Sequence, residues 1–176
     1  YRDAPGTPLG GAVAPLAAAH PGLSGIHPLA DAPDAFEARA SLARAATRSI
    51  DAQYYIWHQD LTGSLLFNEF RLAADRGVRV RLLLDDNNTS GLDPVIATLD
   101  AHPNIEVRLF NPFTIRKLRL IGFLTDFRRL NRRMHNNSFT VDNQATIVGG
   151  RNIGDEYFGA GSGALFLDLD VLAVGP

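Results

Sequence analysis

Residues 50–57 read Ile50-Asp-Ala-Gln-Tyr-Tyr-Ile-Trp57. Their β-branched and aromatic content predicts a strand, and because both of its faces are largely apolar we expect it in the centre of a sheet. Apolar residues recur at helical spacing over residues 65–73, and Gly77 stands where a glycine commonly ends a helix. Residues 78–84 then predict a second strand, so this stretch has the order strand, helix, strand.

Further helices and strands are predicted on both sides of this unit. Downstream come a short helix at 92–101 and a strand at 105–110, an order that favours parallel strands joined by helical crossovers. Upstream, Asp34 followed by Glu37 resembles a capping box that begins a helix ending near Thr47.

The last part of the chain predicts antiparallel pairing. Residues 138–141 and 145–148 suit a hairpin that turns at Asp142-Asn143, and residues 165–174 suit one more strand. We therefore predict an α/β fold with a mixed, largely parallel β-sheet flanked by helices on both faces.

Composition sets the domain organisation and excludes some functions. Residues 1–33 are rich in Gly, Pro and Ala and predict an extended N-terminal arm, whereas residues 34–176 suit a single α/β domain. The net charge of -2 gives no overall field that would attract nucleic acid or an anionic membrane. Absence of cysteine excludes disulfides and thiolate metal sites. No run of eighteen apolar residues occurs, so we expect this chain to be soluble.

One segment carries chemistry: His135-Asn-Asn-Ser-Phe-Thr-Val-Asp142-Asn-Gln-Ala-Thr-Ile-Val-Gly149-Gly150-Arg-Asn152. His135 and Asn137 are two residues apart, so they share one face of an extended segment. The two glycines would let the backbone approach a ligand closely, and the Asn152 amide can donate to a phosphate oxygen. These groups could surround one phosphoryl group, but a lone histidine is more often structural, and spacing does not decide between the two.

This segment resembles the HxKxxxxD motif, followed by GG or GS and then xN, of the phospholipase D superfamily. The matching positions are His135, Asp142, Gly149, Gly150 and Asn152. The resemblance reaches the bacterial cardiolipin synthase C-like branch of that superfamily through further segments, at residues 53–57, 76–87, 108–112, 131–135 and 150–155.

The resemblance implies a phospholipase D-like half-domain, the first of two halves that meet at one active site. One histidine forms a phosphohistidine and the other protonates the leaving alcohol, without metal or cofactor. His135 is then nucleophile or acid, and Gly150 and Asn152 bind phosphate. Asp142 counts with the catalytic motif, although we favour a role as organiser of the hairpin loop.

An acidic residue that orients the catalytic imidazole is also implied by the resemblance. Asp168 and Asp170 lie two apart on the last predicted strand, with both carboxylates on one face. Asp168 is the preferred candidate, and the alternative is a solvated edge-strand face. Asp85 and Asp86 end a strand at its carboxyl side, where α/β sites form, but equally suit a turn cap at Asn87.

The departure from the motif is Asn137, which stands where the motif has lysine. An asparagine is shorter and brings no positive charge to the transition state. Loss of a comparable donor costs about 2.7–4 kcal/mol, or roughly a hundred- to thousandfold in rate. Lys117 is the single lysine of the chain and lies outside the motif, so we predict a severely impaired or inactive enzyme.

Arginines and large apolar residues alternate just before His135. We predict a lipid-interface element there, with a solvated basic face packed on the other half as the alternative. Its basic residues are Arg116, Lys117, Arg119, Arg128, Arg129, Arg132 and Arg133.

The function predicted first is a phosphatidyl transfer or phosphodiester reaction of the cardiolipin synthase type. Its partners would be a phospholipid or other phosphodiester, an anionic membrane surface, and a second phospholipase D-like half from the same polypeptide or a homodimer. Family alone places it at the bacterial cell envelope, associated with the membrane. The alternatives are a single-motif, homodimeric, nuclease-like phosphodiesterase and a non-catalytic lipid- or phosphate-binding module.

Overall fold

The computed structural model describes residues 6–113, 126–163 and 165–175. Seven strands of these residues form one mixed sheet in the order β1-β7-β6-β5-β2-β3-β4. The strands are β1 (Gly25–Leu29), β2 (Ser49–Tyr54), β3 (Arg79–Asp85), β4 (Ile105–Phe110), β5 (Ser138–Val141), β6 (Ala145–Gly149) and β7 (Asp170–Val174).

Helices precede or connect most of these strands. They are α1 (Pro8–Ala19), α2 (Ala32–Ala45), α3 (Leu61–Asp75), α4 (Asp93–Asp100), α5 (Phe127–Leu130) and α6 (Asp155–Phe158), with a 3-10 helix at Asp86–Asn88. The mixed α/β sheet flanked by helices is confirmed, as is the central position of β2 between β5 and β3.

The prediction of a largely parallel sheet is corrected by the strand pairs of the described residues. β2 pairs with β3 and β3 with β4 in parallel, but β1/β7, β2/β5, β5/β6 and β6/β7 are antiparallel. The parallel half comes from helical crossovers, whereas hairpins and the N-terminal strand build the other half.

The core lies on one face of the sheet. Ile50, Ala52 and Tyr54 of β2 are fully buried there, against Leu66 and Phe70 of α3. Buried residues of α2, α4 and α6 belong to the same cluster.

The opposite face of β2 and β3 presents polar residues to solvent. Asp51 and Gln53 are half-buried and Arg81 is exposed, and Arg81 pairs with Asp51 across the two strands. No apolar layer therefore covers this face of β2 and β3 in the part of the chain that the structure describes, although helices on both faces of the sheet were predicted. The alternation of apolar and charged side chains along β3 gives the physical reason, because a charged face does not need a second apolar layer.

The prediction of an extended arm over residues 1–33 is wrong for most of its described part. Thr7 caps α1 by accepting from the backbone N–H of Gly10, and β1 adds to the edge of the sheet through β7. An edge strand tolerates Pro28, because one side of its backbone needs no ladder partner.

Two predicted boundaries also move. Asp31, rather than Asp34, caps α2, since its side chain accepts from the Asp34 N–H. β7 begins only at Asp170, whereas residues 165–169 are irregular and exposed. The hairpin is confirmed, with φ of 53° at Asp142 and 52° at Asn143, as a type I′ turn requires.

Candidate active site

All motif residues except Asp142 meet at the end of the sheet where β2 and β3 end. Gln53 of β2 lies opposite Ser138 of β5, and Ser138 lies opposite Val148 of β6. The residues just before β5 and just after β6 therefore converge beside the end of β2. Carboxyl ends of parallel strands are where α/β proteins commonly bind ligands.

His135 is exposed at this edge, three residues before β5. Its ring lies on that of Tyr55, with 3.9 Å between the centroids and 34° between the planes. Among the described residues its imidazole has no hydrogen-bond partner. No side chain of the described residues therefore occupies either ring nitrogen.

Asn137 joins the end of β2 to the glycine pair. Its side-chain oxygen accepts from the Tyr55 N–H at 3.3 Å, and its Nδ2 donates to the Gly150 carbonyl at 2.9 Å. An amide nitrogen carries two hydrogens, so one is left to donate to a ligand. The side chain in the lysine position is thus hydrogen-bonded to two backbone groups and brings no charge.

Asn152 is buried and makes a similar connection one residue further along. Its Oδ1 accepts from the Ile56 N–H at 2.8 Å, and its Nδ2 donates to the Tyr157 hydroxyl at 3.4 Å. Burial raises the pKa of Tyr157 above its ordinary value, and the bond from Asn152 opposes this shift. The two motif asparagines therefore hold the segment that follows β2 from two sides.

The glycine pair makes room for the last strand. A Cβ on Gly149 would lie 2.0 Å from Oδ1 of Asp170, and one on Gly150 would lie 2.1 Å from Oδ1 of Asp168. The two glycines thus leave room for these carboxylates, and the expectation that they let the backbone approach a ligand stays a prediction.

Asp168 and Asp170 do not share a strand face, because β7 begins only at Asp170. The Asp170 carboxylate is fully buried and accepts from Arg39 Nη2 at 2.9 Å and from the Arg151 N–H at 3.2 Å. Asp168 is exposed and accepts from the Leu169 N–H at 2.8 Å. In the described residues neither carboxylate reaches His135, so the expected imidazole partner is not found.

His135 precedes β5 and Asp142 directly follows it, so the four residues of that strand, about 13 Å at the usual rise per residue, lie between the two. Its carboxylate is buried and accepts from three consecutive backbone N–H groups, those of Thr47, Arg48 and Ser49. This placement fits the organiser of the hairpin and not a group that touches the substrate.

Asp85 is fully buried and has contacts that the sequence did not reveal. Its Oδ1 accepts from the Asn87 N–H at 2.8 Å, as expected of a turn cap. The same carboxylate also pairs with Arg133 at 3.1 Å and accepts from the Met134 N–H at 2.9 Å. Arg133 and Met134 lie 48 and 49 positions from Asp85 in the sequence, so only folding brings them into contact.

The predicted lipid-interface arginines divide into two pairs. Arg133 is 7% exposed and packs over the Phe113 ring at 4.8 Å, and Arg129 bonds to Asp126 and to the Asn111 side chain. These two are corrected to structural residues. Arg128 and Arg132 are exposed. The remaining basic residues of the prediction, Arg116, Lys117 and Arg119, lie outside the described residues.

One group in the described residues has the composition of a cation site. His58, Asp60 and Glu156 bring ligand atoms within 4.8 Å of one another. Asp60 already caps α3 and accepts from the Asp155 N–H. The expectation of a reaction without metal or cofactor stays a prediction.

The chain resembles longer bacterial proteins. It is 62% identical over 168 residues to "Cardiolipin synthase C" of Escherichia coli (strain K12), which covers 96% of the chain and 36% of the relative. It is 45% identical over 171 residues to an "Uncharacterized protein" of Helicobacter pylori (strain ATCC 700392 / 26695), with 34% of that protein covered. The chain therefore spans about a third of the length of these relatives.

Solved structures share the fold. NucT from Helicobacter pylori matches with a TM-score of 0.60 at 17% identity, over 86% of this chain and 85% of that one. A phosphatidylserine synthase from Haemophilus influenzae Rd KW20 matches with a TM-score of 0.64 at 15% identity, over 85% of this chain and 33% of that one. At such identities the likeness concerns the fold alone.

Fold and motif together define a phospholipase D-like α/β domain. The family described as "Cardiolipin synthase, PLD-like domain" matches residues 40–166, and the chain belongs to it. This is a family of phospholipid-modifying enzymes. In the described residues, no helix is both long and apolar enough to cross a membrane.

Proposed function

We propose that this chain is one half of a phospholipase D-type phosphatidyltransferase that makes cardiolipin or a related phosphodiester through a phosphohistidine. The observation that carries the proposal is the exposed His135 imidazole, which lacks a hydrogen-bond partner among the described residues and lies beside Asn137 and near Asn152. Membership of the cardiolipin synthase family supports a phospholipid as substrate.

The proposed reaction has two displacements at phosphorus. In the first, a nitrogen of one motif histidine bonds to phosphorus while the phosphorus–oxygen bond to the alcohol breaks, and the second histidine gives its proton to the leaving oxygen. In the second, an incoming alcohol bonds to phosphorus, passes its proton to the second histidine and displaces the first. His135 takes one of these roles and the other half supplies the other histidine.

Asn137 weakens this chemistry for an electrostatic reason. Charge on the phosphoryl oxygens builds in the transition state, and preorganised cations or donors at those oxygens lower the barrier. Asn137 brings no charge, and its amide is already bonded to backbone on both sides. We therefore propose that the chain binds the phosphoryl group but accelerates its transfer poorly.

The test uses the complete protein that contains both motifs. Phosphatidyl transfer and phosphodiester hydrolysis are measured for the protein with Asn137, for Asn137→Lys, and for Asn137→Lys combined with His135→Ala. Lysine should raise the rate by about a hundred- to thousandfold, and loss of His135 should abolish that gain.

A matched comparison of stability accompanies the rates. Asn137→Lys gives up two bonds to backbone, so its unfolding must be followed beside that of Asn137→Ala, which gives up the same bonds without adding charge. If both lysine and asparagine forms bind anionic vesicles while neither turns over a phosphodiester, the non-catalytic binding module is the correct function and the mechanism is wrong.

A second candidate is a homodimeric, single-motif phosphodiesterase. The observation in its favour is the fold, which the chain shares with NucT at a TM-score of 0.60 over 86% of this chain. Light scattering of the 176-residue chain and a DNA cleavage assay at low salt separate the two. A dimer that cleaves DNA favours this candidate, and a chain without nuclease activity disproves it.

A further inference from the structure

We propose that Asp85 is the positioning residue for His135. The inference rests on the proposed function, because it concerns how the imidazole is held for phosphoryl transfer. Asp85 does not touch the imidazole. It acts through the two residues that precede His135 in the chain.

One buried carboxylate holds that part of the chain. Oδ2 of Asp85 accepts from the Met134 N–H at 2.9 Å, and Oδ1 pairs with Arg133 at 3.1 Å. Oδ1 also accepts from the Asn87 N–H at 2.8 Å. Since Asp85 is the last residue of β3, these bonds connect the segment before His135 to the end of a central strand.

The neighbouring strand supplies a second connection. Asn111, which directly follows β4 and has a φ of 48°, donates from Nδ2 to the carbonyls of Arg129 and Arg132 at 2.7 Å each. Arg133 in turn donates to the Asn111 carbonyl at 3.3 Å. The backbone from Arg129 to Met134 is therefore held by side chains at the ends of β3 and β4.

These side chains matter because the backbone itself provides little support here. Residues 132–137 form no helix or strand, so no ladder of backbone hydrogen bonds fixes His135. On its other side, Asn137 holds the segment to Tyr55. A displacement of about 1 Å at a reacting group can cost roughly a hundredfold in rate, so the bonds to Asp85 bear directly on the imidazole.

The charge of Asp85 is required as well as its shape. The Arg133 guanidinium is almost completely buried, and among the described residues its Nε and Nη2 have no hydrogen-bond partner. An amide in place of the carboxylate removes the counter-charge and turns one acceptor into a donor that faces a donor. Asp85→Asn should therefore release Met134 or Arg133 while it preserves the volume of the side chain.

Asp86 offers a matched control. It is the next residue, is equally buried, and its carboxylate accepts from the Thr89 hydroxyl at 2.6 Å and from the Phe113 N–H at 2.8 Å. Asp86→Asn thus perturbs a buried carboxylate of the same turn whose hydrogen bonds in the described residues run to Thr89 and Phe113 and not to Arg133 or Met134. A merely structural role for Asp85 predicts equal effects of the two substitutions on activity per folded molecule.

The experiment compares both substitutions in the complete protein carrying Asn137→Lys. Asp85→Asn should lower kcat about a hundredfold with little change in KM, because the imidazole is misplaced while the lipid is still bound. Asp86→Asn should leave kcat per folded molecule nearly unchanged. Equal losses in the two variants, or an unchanged kcat for Asp85→Asn, would overturn the proposal.

A spectroscopic readout separates this proposal from the proposed function. The nitrogen and ring-proton resonances of His135, assigned with His135→Ala, should shift in Asp85→Asn and stay in place in Asp86→Asn. If they shift while no form turns over a phosphodiester, Asp85 positions His135 and the proposed function is wrong. If they do not shift, the positioning role is wrong whatever the activity.

Discussion

Replacement of Asp142 by alanine should destabilise the fold without removing a catalytic group. Oδ1 accepts from the N–H groups of Arg48 at 2.7 Å and Ser49 at 2.9 Å. Oδ2 accepts from the N–H and the hydroxyl of Thr47 at 3.1 and 3.0 Å. The carboxylate therefore connects the β5–β6 turn to the beginning of β2 through hydrogen bonds.

The expected cost follows from which of these donors water can reach. Ser49 is buried, whereas Thr47 and Arg48 are exposed. An unsatisfied buried N–H costs about 1–3 kcal/mol, and each bond that water can replace costs about 1 kcal/mol. We expect Asp142→Ala to lower the free energy of unfolding by about 4 kcal/mol, above the common range of roughly 0.5–3 kcal/mol for point substitutions.

Asn143→Ala is the matched control for the turn itself. Asn143 has nearly the same φ as Asp142 but is exposed, so its replacement tests the left-handed backbone alone, at about 1–2 kcal/mol. Urea unfolding of the complete protein, followed by circular dichroism, measures both costs. The reasoning is refuted if Asp142→Ala costs no more than Asn143→Ala, or if it abolishes kcat while stability is retained.

Two further predictions concern charge. Arg128→Ala with Arg132→Ala should reduce binding to anionic vesicles in flotation assays, since both arginines are exposed. Arg129→Ala with Arg133→Ala should chiefly lower the melting temperature, and equal loss of binding in the two double variants would contradict this division. Burial raises the pKa of Tyr54, so its contribution to stability is complete below the ordinary tyrosine pKa of about 10 and is lost as pH rises through the raised value. The free energy of unfolding should therefore decrease less between neutral and strongly alkaline pH in Tyr54→Phe than in the unsubstituted protein. An equal decrease in the two proteins would show that Tyr54 does not contribute to the pH dependence of stability.

Prediction from sequence succeeded where the signal was local. The β2–α3–β3 unit follows from hydrophobic period and a terminal glycine, and the hairpin follows from residues that accept positive φ. It failed for β1, because Gly25–Leu29 has little strand pattern of its own and gains its partners from β7. The antiparallel pairs of β7 with β1 and β6 also made the sheet less parallel than the β2–α3–β3 unit suggested.

The site shows the same division. The motif with its family, its histidine and the missing lysine could be identified from neighbouring residues alone, whereas the exposure of His135 came from the structure. The partners of three carboxylates could not, because Asp85, Asp142 and Asp170 bond to residues 48, 93 and 131 positions away. An aspartate side chain is short, so its hydrogen-bond partners are the groups that tertiary packing places within about 3 Å of it. The sequence placed Asp142 in the hairpin loop, but only the tertiary structure showed its backbone partners at Thr47, Arg48 and Ser49. Only the tertiary structure, likewise, assigned Asp170 to two buried arginines and Asp85 to the segment that presents His135.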